Sequence, residues 1–310
     1  MRAPRLYNLD TVMIDVSMRV DSVPRPGADA HAEEYLVAVG GGFNVMSAAT
    51  RHGMAAVYVG QLGSGPFADI AKSSLRREDI KCPVVVDPLA DVGFCLVLVD
   101  SRGERTFVTA SGAEVSLRRI DLEGLDLRGG DYVFLSGYNV LYPHIGATVT
   151  AWLEELRSDV IVAFDPGPRV TDIEPTALHR VLARTDWLLC NGEESLALSG
   201  EGTVDRAVDA LVAMTGHRGV VVHDGAAGCV VATPHQRAMR VRGFPAEVID
   251  TNGAGDAHDG VFLAETARGT ELFESARRAN AAAAMAIGRL GPATSPRRDE
   301  VSAWLGATAT

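Results

Sequence analysis

The chain has 310 residues, 47% hydrophobic and 22% charged, which excludes a disordered or fibrous protein and allows a large core. Its 40 acidic and 29 basic residues give a net charge of -11, which argues against a nucleic-acid backbone or an anionic membrane as partner. An anionic small-molecule substrate therefore needs a local basic site.

Residues 12–39 read as β-structure without helical spacing. A glycine run, Gly40-Gly41-Gly42, then leads into a helix expected over Asn44–His52, followed by a strand at Val57–Val59 and a helix at Phe67–Arg77. Residues 92–110 read as a hairpin turning at Ser101-Arg102-Gly103-Glu104. Beyond it, strands at Tyr132–Leu135, Val160–Phe164, Trp187–Cys190 and Gly219–His223 alternate with helices at Ile145–Leu156, Thr176–Leu182, Ser195–Leu198 and Val204–Met214. Gly260–Ala267 is also helical, and Ala281–Ala284 is a helix interior. Strand then helix, repeated, predicts a doubly wound, mostly parallel α/β sheet whose ligands bind beyond the carboxyl ends of the strands. The antiparallel segments 12–39 and 92–110 do not fit that rhythm and are expected to form a small sheet that covers the site as a lid.

The strongest local signal is Asp250-Thr251-Asn252-Gly253-Ala254-Gly255-Asp256 ahead of a helix. Small residues there let successive backbone N–H groups converge on an anion at a helix N-terminus. A carboxylate at the rim repels phosphate, so Asp256 reads either as a general base for an attacking hydroxyl or as the helix N-cap. Asn44 likewise reads as a contact to a polyhydroxyl ligand or as a plain N-cap. Neither glycine cluster has the Gly-x-Gly-x-x-Gly spacing of a dinucleotide site. Lys72 and Lys81 are the only lysines and neither follows a glycine, which excludes a P-loop. Cys82, Cys95, Cys190 and Cys229 form no Cys-x-x-Cys pair and read as reduced, buried residues. No segment has the length of a signal peptide or membrane span, so the cytoplasm is expected. The 8 histidines show no metal-ligand spacing and read as structural or surface residues.

The two glycine segments together, in this order, resemble the signatures of the ribokinase-like (PfkB) family of carbohydrate and nucleoside kinases. The N-terminal signature runs from Gly40 through Asn44, Arg51 and Gly53 to Gly63, Gly65 and Phe67; the C-terminal one is Asp250–Asp256. Further matches are Asp15, the Gly103–Phe107 turn, Asp165–Arg169 and Asn191-Gly192-Glu193-Glu194. The resemblance covers practically the whole chain and implies one catalytic domain over 1–310. It makes Asp256 the catalytic base and the backbone of Asn252, Gly253, Ala254 and Gly255 the anion hole. Asp15, Gly40, Gly41, Gly42 and Asn44 would hold the acceptor. Glu194, beside Asn191, would position Mg2+ through water. The nucleotide, ATP, would lie beyond His223 against Asp224, Gly225, Gly228 and Asn280. Asp250, Asn252 and Ser295 match a monovalent-cation site for K+.

The chain departs from the family at Asp10, where a glycine is usual, at Val39, at His223, where a small hydroxyl residue is frequent, and at His258-Asp259, which replace an aromatic residue and its neighbour. None of these removes the base or the anion hole. Arg51, Arg105 and Arg169 are the candidates for a phosphate already on the acceptor, and Arg169 is the one placed in the acceptor set. The expected reaction is phosphoryl transfer from ATP to a hydroxyl of a free sugar of ribose or ketohexose type. A nucleoside kinase, a phosphosugar kinase and a non-catalytic sugar or nucleotide sensor are the rivals. Exposed lid edges favour a homodimer.

Overall fold

In this computed structural model, which describes residues 2–83, 87–215 and 218–307, the short β-branched runs are strands and the longer periodic segments helices; His217 lies outside the described residues. The chain opens with β1 (Arg5–Asn8), β2 (Val12–Arg19), β3 (Glu34–Gly41), α1 (Gly42–Arg51), β4 (Ala55–Tyr58) and α2 (Pro66–Arg77). Next come β5 (Phe94–Val99), β6 (Arg105–Ala110), α3 (Arg119–Glu123), β7 (Tyr132–Ser136), α4 (Gly137–Leu141) and α5 (Pro143–Glu155). There follow β8 (Ile161–Asp165), α6 (Pro175–Arg184), β9 (Trp187–Asn191), α7 (Gly192–Ser199), α8 (Val204–Thr215), β10 (Gly219–His223), β11 (Gly228–Thr233) and β12 (Gln236–Arg242). The chain closes with α9 (Ala254–Arg268), α10 (Leu272–Ala286) and α11 (Arg298–Ala307).

The main sheet has the order β12-β11-β10-β9-β8-β7-β1-β4, parallel from β4 to β10 with β11 and β12 antiparallel at one edge. Successive side chains of a strand point to opposite faces, so an apolar run demands cover on both. In β7, Tyr132 and Phe134 enter one core with Val45 and Met46 of α1, Phe262 of α9 and Ala279 of α10. Val133 and Leu135 enter the other, with Val149 and Leu153 of α5, Val181 of α6 and Leu211 of α8. Each such fully buried side chain contributes roughly 1.5–3 kcal/mol. Three strands go beyond the sequence expectation. β1 has only four residues, too few to show a period, and β11 and β12 form a hairpin after the Gly228 turn.

The small sheet, β3-β2-β5-β6, is separate and follows the expected segments except that β3 runs on through Gly40 and Gly41. Each segment pairs antiparallel as expected, β2 with β3 and β5 with β6, and the two segments join through β2 and β5, which run parallel. The connection between them passes through α1, β4 and α2, long enough for the crossover that parallel pairing requires. Every residue of β6 is exposed.

Helix α9 is buried along Ala257–Glu265 and lies against α1. A Cβ at Gly260 would sit 2.4 Å from the carbonyl oxygen of Val45, so only glycine allows this approach. That contact brings the first turns of two helices, remote in sequence, to one place.

Candidate active site

Asp10, Ser136, Asp165, Asn191 and His223 all lie at or just beyond the carboxyl ends of parallel strands, with Ser136 opposite Asp165 and Asn191 opposite His223 in register. Parallel strands align these ends along one rim of the sheet. The N-terminus of α9 faces the same rim.

Asp256 is not the cap of its helix. Gly253 is, with φ +72°, and no side chain caps α9. A Cβ on Gly253 would meet the carbonyl oxygen of Pro292 at 2.1 Å, so glycine alone fits the turn at the expected anion hole. Asp256, in the first helical turn, accepts a hydrogen bond from Asn44 Nδ2 at 2.9 Å. Asn44 is not a cap either: α1 begins after Gly41, and Asn44 is buried within its first turn. Burial, with the carboxylates of Asp259, Asp10 and Asp15, pushes the Asp256 carboxyl up to about 7, against the Asn44 bond.

On the other side stands Asp15 of β2. A Cβ at Gly40 would lie 2.3 Å from its Oδ2, so this glycine makes room for the carboxylate. Burial raises Asp15 to about 6, with Asp250 adding to the rise and Asn252 opposing it. The Gly41–Gly42 backbone is held from below: Gly42 N–H donates to Thr11 at 2.8 Å, and Asn8 Nδ2 donates to Gly42 at 3.0 Å. Asn8 and Ser136 carry no motif and escape sequence reading; only the tertiary hydrogen bonds reveal them. Ser136 Oγ donates to Asp10, whose Oδ1 also accepts from Thr11 N–H at 2.8 Å. Burial raises Asp10 to about 6 in spite of both bonds.

Behind the α9 N-terminus lies a cavity of about 670 Å³. His223, Gly225, Gly228 and Asn280 line it together with Ala254 and Gly255, so four residues expected at the nucleotide converge on the expected anion hole. Asn280 Nδ2 is fixed by the carbonyls of Val241 and Arg242 at 3.0 and 3.2 Å. Asp224 is turned instead to Arg240. Asn191 caps α7 and forms a reciprocal box with Glu194, at 2.9 and 2.8 Å. Burial and the charges of Asp259, Glu194 and Asp256 hold the Asp165 carboxyl well above the usual range.

Arg105, on β6, reaches across to Asp250 at 2.7 Å and ties the small sheet to the anion-hole loop. Asp250 also accepts from the N–H groups of Asn252 at 3.0 Å and Gly291 at 3.1 Å. A second cavity of about 120 Å³ lies between the two, lined by Asp15, Arg105, Asp250 and Asn252. Ser295 Oγ is buried without a hydrogen-bond partner. Arg51 is committed to Glu78 at 2.6 Å and to the carbonyls of Ala293 and Ser295. Arg169 is exposed and pairs with Asp172 at 2.9 Å; its charge and that of Asp10 both reach Tyr138.

The arrangement has relatives. The model of the pfkB family of carbohydrate kinases matches residues 4–299. An Escherichia coli (strain K12) protein named uncharacterized sugar kinase YegV is 32% identical, over 96% of this chain and 95% of its own. An ATP-dependent ribose-1-phosphate kinase of Halopiger xanaduensis is 26% identical over 97% of this chain and 98% of its own. The Arabidopsis thaliana ribokinase solved with ribose and ATP superposes with a TM-score of 0.80 at 22% identity, covering 98% of this chain and 99% of that one. With both glycine segments, the sheet order and the family match in agreement, the chain belongs to the pfkB family of carbohydrate kinases, phosphotransferases that use an alcohol group as acceptor.

Proposed function

We propose that the chain transfers the γ-phosphoryl group of ATP to a hydroxyl of a free sugar of ribose or ketohexose type. The observation that carries this is Asp256, held by Asn44 at 2.9 Å, at the rim of a helix N-terminus that opens onto the 670 Å³ cavity. Asp15, Asn44 and the backbone of Gly40–Gly42 orient the acceptor. Asp256 accepts the proton of the attacking hydroxyl, the new O–P bond forms, and the bond to the leaving ADP oxygen breaks. The N–H groups of Asn252 to Gly255 answer the charge on the transferring group. Arg169, exposed and paired with Asp172, is the acceptor-set arginine that a phosphate on the acceptor would call on. His223, Gly225, Gly228 and Asn280 hold the nucleotide, while Asp224 is engaged by Arg240 and Asn191 caps α7.

Hard carboxylate oxygens crowd the rim, and Asp165, Glu194 and Asp256 repel one another enough to raise Asp165, so the donor set fits Mg2+. Glu194 would hold it through water, and the bound ion neutralises charge on the phosphates. A monovalent cation fits less well. Asp250 already receives Arg105 and two backbone N–H groups, which leaves Ser295 Oγ as the unpartnered oxygen of that set.

The whole chain acts as one catalytic domain, and the small sheet is its lid, drawn over the acceptor by Arg105. Tyr35, Val37 and Val108 expose 76, 39 and 58% of their surface on one side of that sheet, an apolar face suited to a second copy of the chain. No helix of the described residues is long and apolar enough to cross a membrane. The use of ATP and the buried thiols of Cys95, Cys190 and Cys229 favour the cytoplasm.

Asp256→Asn tests the reading. The amide keeps the shape of the site but takes no proton, so turnover with the best acceptor of a sugar and nucleoside panel should fall about 10²–10⁴-fold. ADP affinity, read by calorimetry, should stay within a few-fold. Equal losses of turnover and ADP affinity would assign Asp256 to binding alone.

A further inference from the structure

His223 and the His258-Asp259 pair, all departures from the family pattern, meet in the fold. His223 ends β10, and His258 and Asp259 follow the first turn of α9. Their imidazole rings lie 4.4 Å apart. His223 Nε2 is 2.9 Å from Asp259 Oδ1, and His258 Nδ1 is 3.9 Å from the same oxygen. One ligand atom from each residue lies within 4.8 Å of the other two.

Two of these groups are fully shielded, Asp259 at 0% and His258 at 3% exposed, and His223 is half-buried. Yet no well-aligned hydrogen bond reaches His223 Nε2, either nitrogen of His258 or either oxygen of Asp259; Asp259 meets both histidines, and His258 also meets Asn280, only through looser contacts. The 2.9 Å approach of His223 to Asp259 is close enough for a hydrogen bond but not aligned for one. Buried polar atoms are normally satisfied, and three residues that each bring one ligand atom within 4.8 Å of the other two leave room for a shared central partner.

We propose that His223, His258 and Asp259 form a binding site for a divalent transition-metal ion of the Zn2+ class. Two imidazole nitrogens and one carboxylate oxygen are a borderline donor set, suited to Zn2+, Co2+ or Fe2+, whereas Mg2+ takes oxygen ligands. The carboxylates of Asp165, Glu194 and Asp256 stand close enough to interact electrostatically with Asp259, so the surroundings favour a dication. Three protein ligands leave the ion an open position. It faces the 670 Å³ cavity, which His223 and His258 both line. The fourth ligand is water or, on the kinase reading above, an oxygen of the bound nucleotide. No sequence spacing announces this site, because its ligands come from a strand end and a helix 35 positions further on.

The test uses the full chain, stripped with a chelator and titrated with Co2+ without nucleotide or acceptor. The expected result is one Co2+ per chain with a visible ligand-field band, retained in a large excess of Mg2+. His258→Phe, which restores an aromatic residue, should weaken Co2+ binding about 100-fold or more, since even outer-shell partners are worth about 10–100-fold. Asp259→Asn and His223→Ser should do the same, which guards against one variant failing to fold. No band with the stripped wild-type protein, or an equal band in the three variants, overturns the proposal. Phosphoryl transfer by the stripped protein with Mg2+ and ATP is read separately, so a failure here leaves the kinase reading standing.

Discussion

Asp10→Asn isolates the cost of burying a carboxylate just beyond the end of β1. Asp10 is 7% exposed, and its Oδ1 accepts from Ser136 Oγ and Thr11 N–H. Burial raises its pKa from 3.8 to about 6, a rise of about 2 units, or about 3 kcal/mol at 1.36 kcal/mol per unit. The sign is set by linkage. Between pH 3.8 and about 6 the folded state keeps a proton that the unfolded chain has released, so wild-type stability falls as pH rises through that window. Above it the loss is complete. The asparagine retains an Oδ1 acceptor for both donors and does not titrate. Its new amide can cost about 1–3 kcal/mol if left unpaired, but that cost does not vary with pH. Urea unfolding of both proteins across the window should therefore show the stability difference moving in favour of Asp10→Asn by up to about 3 kcal/mol as pH rises. The loss of a negative charge also relieves Asp256, which adds in the same direction. Parallel stability curves across the window would refute the reasoning, because the carboxylate would then ionise in the folded protein as easily as in the unfolded one.

Three further outcomes follow from the same geometry. Gly253→Ala should lower turnover by about 10²–10³-fold by closing the anion hole against Pro292, with the fold, followed by circular dichroism, retained. Arg105→Ala removes a partly exposed ion pair with Asp250 worth up to about 1 kcal/mol, so the acceptor KM in initial-rate assays should rise about 2–5-fold while the ATP KM holds. Glu265→Ala should cost about 3–5 kcal/mol in urea unfolding. Glu265 is 0% exposed and meets Arg298 at 2.8 Å, Arg278 and His52 at 3.2 Å and Thr270 at 2.8 Å. Its carboxyl is held far below the usual range, so this contribution is lost as pH falls through the acid range.

Two kinds of information separate in this protein. The alternating strands and helices, the extent of the small sheet and the glycine segments at 40–42 and 253–255 are legible in the sequence, because each is a local property of the backbone. A buried parallel strand needs a β-branched apolar run, and a tight turn at positive φ needs Gly253. What those segments do to one another is not local. Whether Asn44 and Asp256 cap their helices or meet across 212 positions depends on how closely α1 and α9 cross, which Gly260 decides through packing. The parallel pairing of β2 with β5, the reach of Arg105 to Asp250 and the meeting of His223 with His258 and Asp259 have the same origin. So do the raised carboxyls of Asp10, Asp15 and Asp256: a pKa records burial and neighbouring charge, and both exist only once the chain has folded.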